Sequence, residues 1–260
     1  MLTGIDHVIF AVSDPDAAAQ QLQETLGLAV AGGGRHEAHG TYNRLVWLGD
    51  SYLELMSVFD DALAAQSWWG GHMQAVLARG TDARAGLVFT TDDLDATLAR
   101  LHGQRSALGE PAAGERRRPD GAVVRWRSAR LAAPDPDLGL VFVIEHDPTG
   151  AEWTAHDRAA RDEVAMPSLG RVRLARAELA VPDVARASMR LLRDFGIQFR
   201  PSLAGGGARD ASLGAQLLRL VPAARGGRTA VVLRASALAE ARRATVFGCD
   251  WLIEPGLTVT

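Results

Sequence analysis

The sequence predicts an α+β protein built from repeated βαβββ units. Three observations carry that prediction. The segment HVIFAVSDPDAAAQQLQETLGLAV returns as RAELAVPDVARASMRLLRDFGIQF, so that Ala11-Val12 falls on Ala180-Val181 and Gly27 on Gly196 with one constant offset. Within each copy a short apolar strand gives way, after a turn, to about three turns of amphipathic helix. The composition is that of an ordinary globular chain: 260 residues, 47% hydrophobic and 23% charged.

The first copy shows how each element arises. His7–Val12 alternates as a strand. Asp14-Pro15 opens a helix, because proline suits the first helical position. Ala18, Leu22 and Leu26 form one apolar stripe, and Gly27 supplies the left-handed residue that ends it. Strand candidates follow at Leu28–Ala31, Asn43–Leu48 and Ser51–Val58, with Gly49-Asp50 as a hairpin signal between the last two. A second unit starts at Gly86 (GLVFTTDDLDATLARLHG), with a shortened helix, and runs to about Pro148. A third runs from Arg171 to Pro222. The fourth is short: a strand at Ala230–Arg234, a helix over Ala235–Phe247 closed by Gly248, and a last strand at Asp250–Glu254. The organisation expected is a paired-module domain at 1–148, a polar and partly helical linker at 149–168, and a degenerate, shortened module pair at 169–260. Trp68-Trp69-Gly70-Gly71-His72, between the first two units, reads as a packed crossing or a lid. The runs Gly32-Gly33-Gly34 and Gly205-Gly206-Gly207 read as flexible loops.

Charge and cysteine count narrow the function. A net charge of -3, from 28 basic and 31 acidic residues, gives no electrostatic footprint for nucleic acid. The run Arg116-Arg117-Arg118 sits between Pro and Gly and reads as a solvated loop. The single cysteine, Cys249, excludes an internal disulfide and fits a reducing, cytoplasmic setting. The stretch MLTGIDHVIFAV reads as a strand rather than a signal peptide, and no window is apolar enough to span a membrane. No phosphate-binding glycine loop, nucleophile elbow or Cys-x-x-Cys pair is present.

Strand alternation places the chemistry. Val8, Phe10 and Val12 face the helix layer, leaving His7, Ile9 and Ala11 on the other side. In Ser51–Val58, Leu53 and Leu55 face the helices, while Tyr52, Glu54 and Met56 face the side that His7 faces. A histidine and a glutamate inside a protein need partners. They suit a zinc, iron or manganese site, or else a buried His–Glu hydrogen bond.

The stretch Gly4-Ile5-Asp6-His7-Val8 … Ala11-Val12-Ser13-Asp14, then a helix, then Tyr52-Leu53-Glu54-Leu55, resembles the glyoxalase/bleomycin-resistance/dioxygenase, or vicinal oxygen chelate, superfamily. Gly33-Gly34-Arg35-His36, Gly40-Thr41-Tyr42-Asn43 and Leu48-Gly49 narrow the resemblance to its glyoxalase-like branch. The resemblance implies that two βαβββ modules close into a cup of mixed β-sheet, with helices on the outer face. It also implies a divalent metal held by the first and last strands of each module. His7 and Glu54 match the positions of module one. The matching positions of module two, near Ala85 and Phe142, cannot bind a metal. His36, which matches the branch motif, and His39, which does not, are the nearest further ligands. Asn43 could hydrogen-bond a ligand or close a turn. Trp47, Tyr52 and Met56 would line the cup. Arg125 and Arg127, flanking Trp126, could clamp an anionic substrate or lie on a wet face. His146 would stand at the rim as a ligand, a base or a bystander.

The expected function is a small-molecule enzyme of the glyoxalase-like type. A divalent metal (Zn, Fe or Mn) at His7 and Glu54, with help from His36 or water, would polarise vicinal oxygens, and Glu54 or a nearby histidine would shuttle the proton in lyase, isomerase or dioxygenase chemistry. The alternative is a metal-free binding or sequestering protein of the bleomycin-resistance type. Either would take a small molecule, neither needs nucleic acid or membrane, and a monomer or a homodimer would serve.

Overall fold

The computed structural model describes residues 1–163 and 168–256. The first unit comprises β1 (Leu2–Ala11), α1 (Pro15–Leu26), β2 (Gly33–His36), β3 (Thr41–Leu48) and β4 (Ser51–Val58). Two short helices, α2 (Asp61–Gln66) and α3 (Trp68–Leu77), cross to the second unit: β5 (Ala83–Thr91), α4 (Leu94–Gly103), β6 (Ala112–Arg117), β7 (Val123–Arg130) and β8 (Leu140–His146). The eight strands close into a barrel in the order β1-β4-β3-β2-β6-β7-β8-β5. The Trp-Trp segment is thus a packed helical crossing, with Trp68 and Trp69 against the apolar side of the cup.

After α5 (Ala155–Glu163) come β9 (Val172–Val181), α6 (Val184–Phe195), β10 (Arg200–Pro201), β11 (Arg209–Leu213), β12 (Gln216–Pro222), β13 (Ala230–Ala235), β14 (Arg242–Val246) and β15 (Cys249–Pro255). These strands form one sheet, β10-β11-β12-β9-β13-β15-β14. The repeat holds between the first and third units. Both α1 and α6 start after an aspartate whose side chain accepts from backbone amides, and both end at a left-handed glycine, Gly27 or Gly196.

One core joins the halves. The outward faces of β1, β4 and β5 pack with α1, α4 and α6 and with the inner face of the second sheet. Phe10 stacks on Trp251 at 5.5 Å, and Phe89 meets Phe195 at 5.4 Å. Cys249 lies in this core, and burial pushes its thiol pKa up to about 12, as suits a packing residue.

Three local expectations are corrected. Ala235–Phe247 is not a helix: Phe247 and Gly248 both take left-handed φ (54° and 64°) and turn β14 tightly into β15. Cys249, Trp251 and Ile253 alternate inward along β15, and Arg242–Val246 pairs along it as β14 in place of the expected helix. Leu28–Ala31 is not a strand either; the second strand begins at Gly33. Finally, Gly33 and Gly34 form no flexible loop. They hold φ of 132° and 159° inside β2, where a Cβ on Gly33 would fall on the Asn43 carbonyl and one on Gly34 on the Arg117 carbonyl. This thin strand brings the two units together through the pair Arg35–Arg117. Gly34→Ala should therefore lose about 1–3 kcal/mol to backbone strain alone. Urea unfolding at constant m-value would show the loss.

Candidate active site

The site is assembled from strand ends that the barrel brings together. His7 and Ile9 of β1, Asn43, Leu45 and Trp47 of β3, Tyr52, Glu54 and Met56 of β4, and Leu140, Phe142 and Ile144 of β8 all line one interior space. Parallel pairing of β1 with β4 sets Ile9 beside Glu54 and His7 beside Tyr52, which puts the imidazole next to the carboxylate.

The polar groups form a chain. Glu54 Oε1 accepts from Asn43 Nδ2 at 2.5 Å, and Asn43 Oδ1 accepts from the Gly34 amide at 2.9 Å. Glu54 Oε2 lies 3.4 Å from His7 Nε2. His7 Nδ1 donates to Asp6 Oδ1 at 2.6 Å, and Asp6 Oδ2 accepts from His146 Nε2 at 2.9 Å. Asp6, His7, Asn43 and Glu54 are all buried. Tyr52 stacks on the His7 ring at 4.4 Å. Burial raises the pKa of Asp6, but His146 and His7 outweigh it and hold that carboxyl well below the usual carboxylate range. Burial, together with Asp6 and Glu54, pushes the Tyr52 phenol well above its usual value. Burial, with Arg116, His39 and His7 nearby, keeps the His36 imidazole well below its usual value and neutral.

Alternation alone does not reveal Asp6. It sits at a register shift between Ile5 and His7 on the β5 side, a bulge that lets neighbouring residues 6 and 7 both reach the interior. The only sequence signal for it is its place directly before His7.

The other expected residues fall on two sides of the wall. His146 reaches the rim and joins the chain through Asp6. His36 is buried, but its Nδ1 is engaged with Thr41 Oγ1 at 3.1 Å and its ring is wedged edge-on between Trp69 and Trp126. His39 lies outside it against Trp69. Arg125 and Arg127 do not enter the interior. Trp126 takes the inward position, while Arg125 faces Glu115 and Arg127 pairs with Asp95 and Glu145 on the outer side. Of the two faces open to these arginines, the wet one holds them; Val124 and Trp126 mark the inward face.

Three residues read as solvated loop or linker belong to the site. Arg116 is not in a loop. It lies buried on β6, donates to the Gly33 carbonyl, and pairs with Glu152 at 2.6 Å. Glu152 and Trp153 come from the expected linker, which folds back over the cup. Trp153 stacks on His146 at 3.8 Å and meets Trp47 edge-on at 5.8 Å. With this segment seated, the space beside His7 and Glu54 is about 40 Å³, room for water. A solvent-open groove of about 950 Å³ runs along the rim outside Trp153.

A family model described as glyoxalase-like domain matches residues 5–195. The chain belongs to the glyoxalase-like domain family. With it the chain joins the vicinal oxygen chelate superfamily, and the barrel of two βαβββ units is that fold. Among solved structures, a hypothetical protein from Staphylococcus aureus is 17% identical with a TM-score of 0.77, over 97% of this chain and 99% of the other. Methylmalonyl-CoA epimerase from Mycobacterium tuberculosis is 22% identical with a TM-score of 0.41, over 56% of this chain and 90% of its own. The Streptomyces coelicolor epimerase, in complex with 2-nitronate-propionyl-CoA, is 24% identical with a TM-score of 0.43, over 56% and 99%. No curated protein matches the sequence.

The superfamily's metal can be tested against this glyoxalase-like cup. Asp6 orients His7 as an outer carboxylate orients a ligating imidazole, and Glu54 is within reach. The remaining positions, near Ala85 and Phe142, offer no ligand side chain, and one Glu54 oxygen is already held by Asn43. Among the described residues no group of three His, Cys, Asp or Glu is disposed around one point. A catalytic ion takes about three protein ligands. The donor set does not fit a metal centre.

Proposed function

We propose that this chain is a small-molecule enzyme of the glyoxalase-like type whose reaction is proton transfer at Glu54. The observation that carries this reading is a buried carboxylate fixed between an amide and an imidazole, in a cup whose lining is mainly apolar and aromatic. Asn43 holds one oxygen in place. The other is free to take a proton from a carbon next to a substrate carbonyl and to return it, the behaviour of a positioned general base. His7, with Nδ1 committed to Asp6, turns Nε2 toward Glu54 and can trade that proton with it. Asp6 and His146 continue the line to the rim. Isomerase and lyase chemistry both need this step. No role is assigned to a metal.

Proton NMR in deuterium oxide tests the proposal, on carbonyl compounds with an acidic neighbouring C–H, with protein prepared in a chelator. Wild type should exchange the C–H. Glu54→Gln keeps the shape and the Asn43 contact, and should slow exchange by about 10²–10⁴-fold. A compound that binds wild type without exchange would give the cup to sequestration instead, the reading that the apolar lining favours.

A further inference from the structure

Glu152 and Trp153 are strange occupants for the middle of a cup. A linker residue has no need to bury a carboxylate, and the backbone is strained to do it: Glu152 is a non-glycine residue at φ 73°. The strain sets two side chains in line. The carboxylate meets the buried guanidinium of Arg116, and the indole lies flat on His146 beside Trp47. From α5, Arg161 closes over both indoles, 3.5 Å from the Trp47 centroid and 4.7 Å from that of Trp153.

This occupant fits the walls incompletely. Among the described residues, His146 Nδ1 and both terminal nitrogens of Arg161 are buried with no hydrogen-bond partner. Buried polar atoms in that state call for partners that the segment does not supply. The segment is also held apart from the barrel's strand pairing: a turn at Asp147–Gly150 precedes it, and Thr154 caps α5 after it.

We infer that Glu152-Trp153 stands in the substrate's place, and that the cup takes a carboxylic acid bearing a planar aromatic ring. The acid group would replace the Glu152 carboxylate on Arg116. The ring would replace the indole between His146 and Trp47. Polar substituents on it would meet the unpartnered nitrogens of His146 and Arg161. Ligand and segment then compete for one site, and the segment lowers apparent affinity by the fraction of time it is seated. The inference rests on the proposed small-molecule role and names its substrate class.

Calorimetric titration of the full chain with indole-3-acetate, and with neutral indole-3-acetamide as control, tests it. Glu152→Gln/Trp153→Ala vacates the place, and Glu152→Gln alone removes the charge at constant volume should the double variant fail to fold. A vacated site should bind the acid about tenfold or more tighter than wild type does, without the same gain for the amide. Adding Arg116→Met should remove about 10- to 100-fold of that affinity, as loss of a charge-assisted contact does. No tightening in either folded variant, or equal affinity for acid and amide, overturns the inference. Because the readout is binding, its failure is separable from that of the catalytic reading: acid-selective binding without proton exchange sinks only the role of Glu54.

Discussion

Asp6→Asn should destabilise the protein by about 3–5 kcal/mol at neutral pH, the usual cost of breaking a buried, hydrogen-bonded ion pair. Asp6 is 1% exposed and accepts from two imidazoles, so the substitution leaves His7 and His146 facing an amide. The effect has a direction in pH. The folded carboxyl titrates below its ordinary value of 3.8, so its stabilisation is fully present above that value and fades as pH falls below it. The gap between wild type and variant should therefore be present at about pH 5 and close in stronger acid. Urea unfolding across that range checks both size and sign. A gap unchanged at pH 3 would mean that Asp6 acts through shape and not through charge.

Trp251→Ala should cost about 3–5 kcal/mol, the range for deleting a large buried aromatic. Trp251 is 2% exposed, stacks on Phe10 and donates its indole N–H to the Val246 carbonyl at 3.1 Å. The residue belongs to the second sheet, yet Phe10 belongs to β1, the strand that carries His7. The loss should therefore appear in both halves at once. Thermal unfolding followed by near-ultraviolet and by far-ultraviolet dichroism should shift together. A shift confined to one signal would contradict the shared core.

Much of this was legible because it follows from local periodicity. The Ser51–Val58 strand, the two helices ending at Gly27 and Gly196, and the inward placing of His7, Tyr52 and Glu54 all follow from counting residues. The illegible parts each have a physical cause. Asp6 enters through a bulge, which breaks the alternation on which the reading depended. Arg116 looked solvated because its buried partner, Glu152, is far along the chain and in a segment that resembles a spacer. The helix assigned to Ala235–Phe247 rested on Gly248 taking the place of the helix-closing glycine in the repeat. The turn at Phe247-Gly248 and the hydrogen bonds of β14 to β15 decide otherwise.

The wall that Phe10, Leu22 and Leu26 share with Val231, Trp251 and Ile253 has a consequence for how such a chain can be divided. The cup is not a detachable cassette. Cut after residue 148, it would present to water the apolar outer surface that the second sheet now covers, and it would lose the two side chains that roof its mouth. A gene fusion or an expression fragment that respects the molecule must carry the sequence through β15, even though every group assigned to chemistry lies before residue 150.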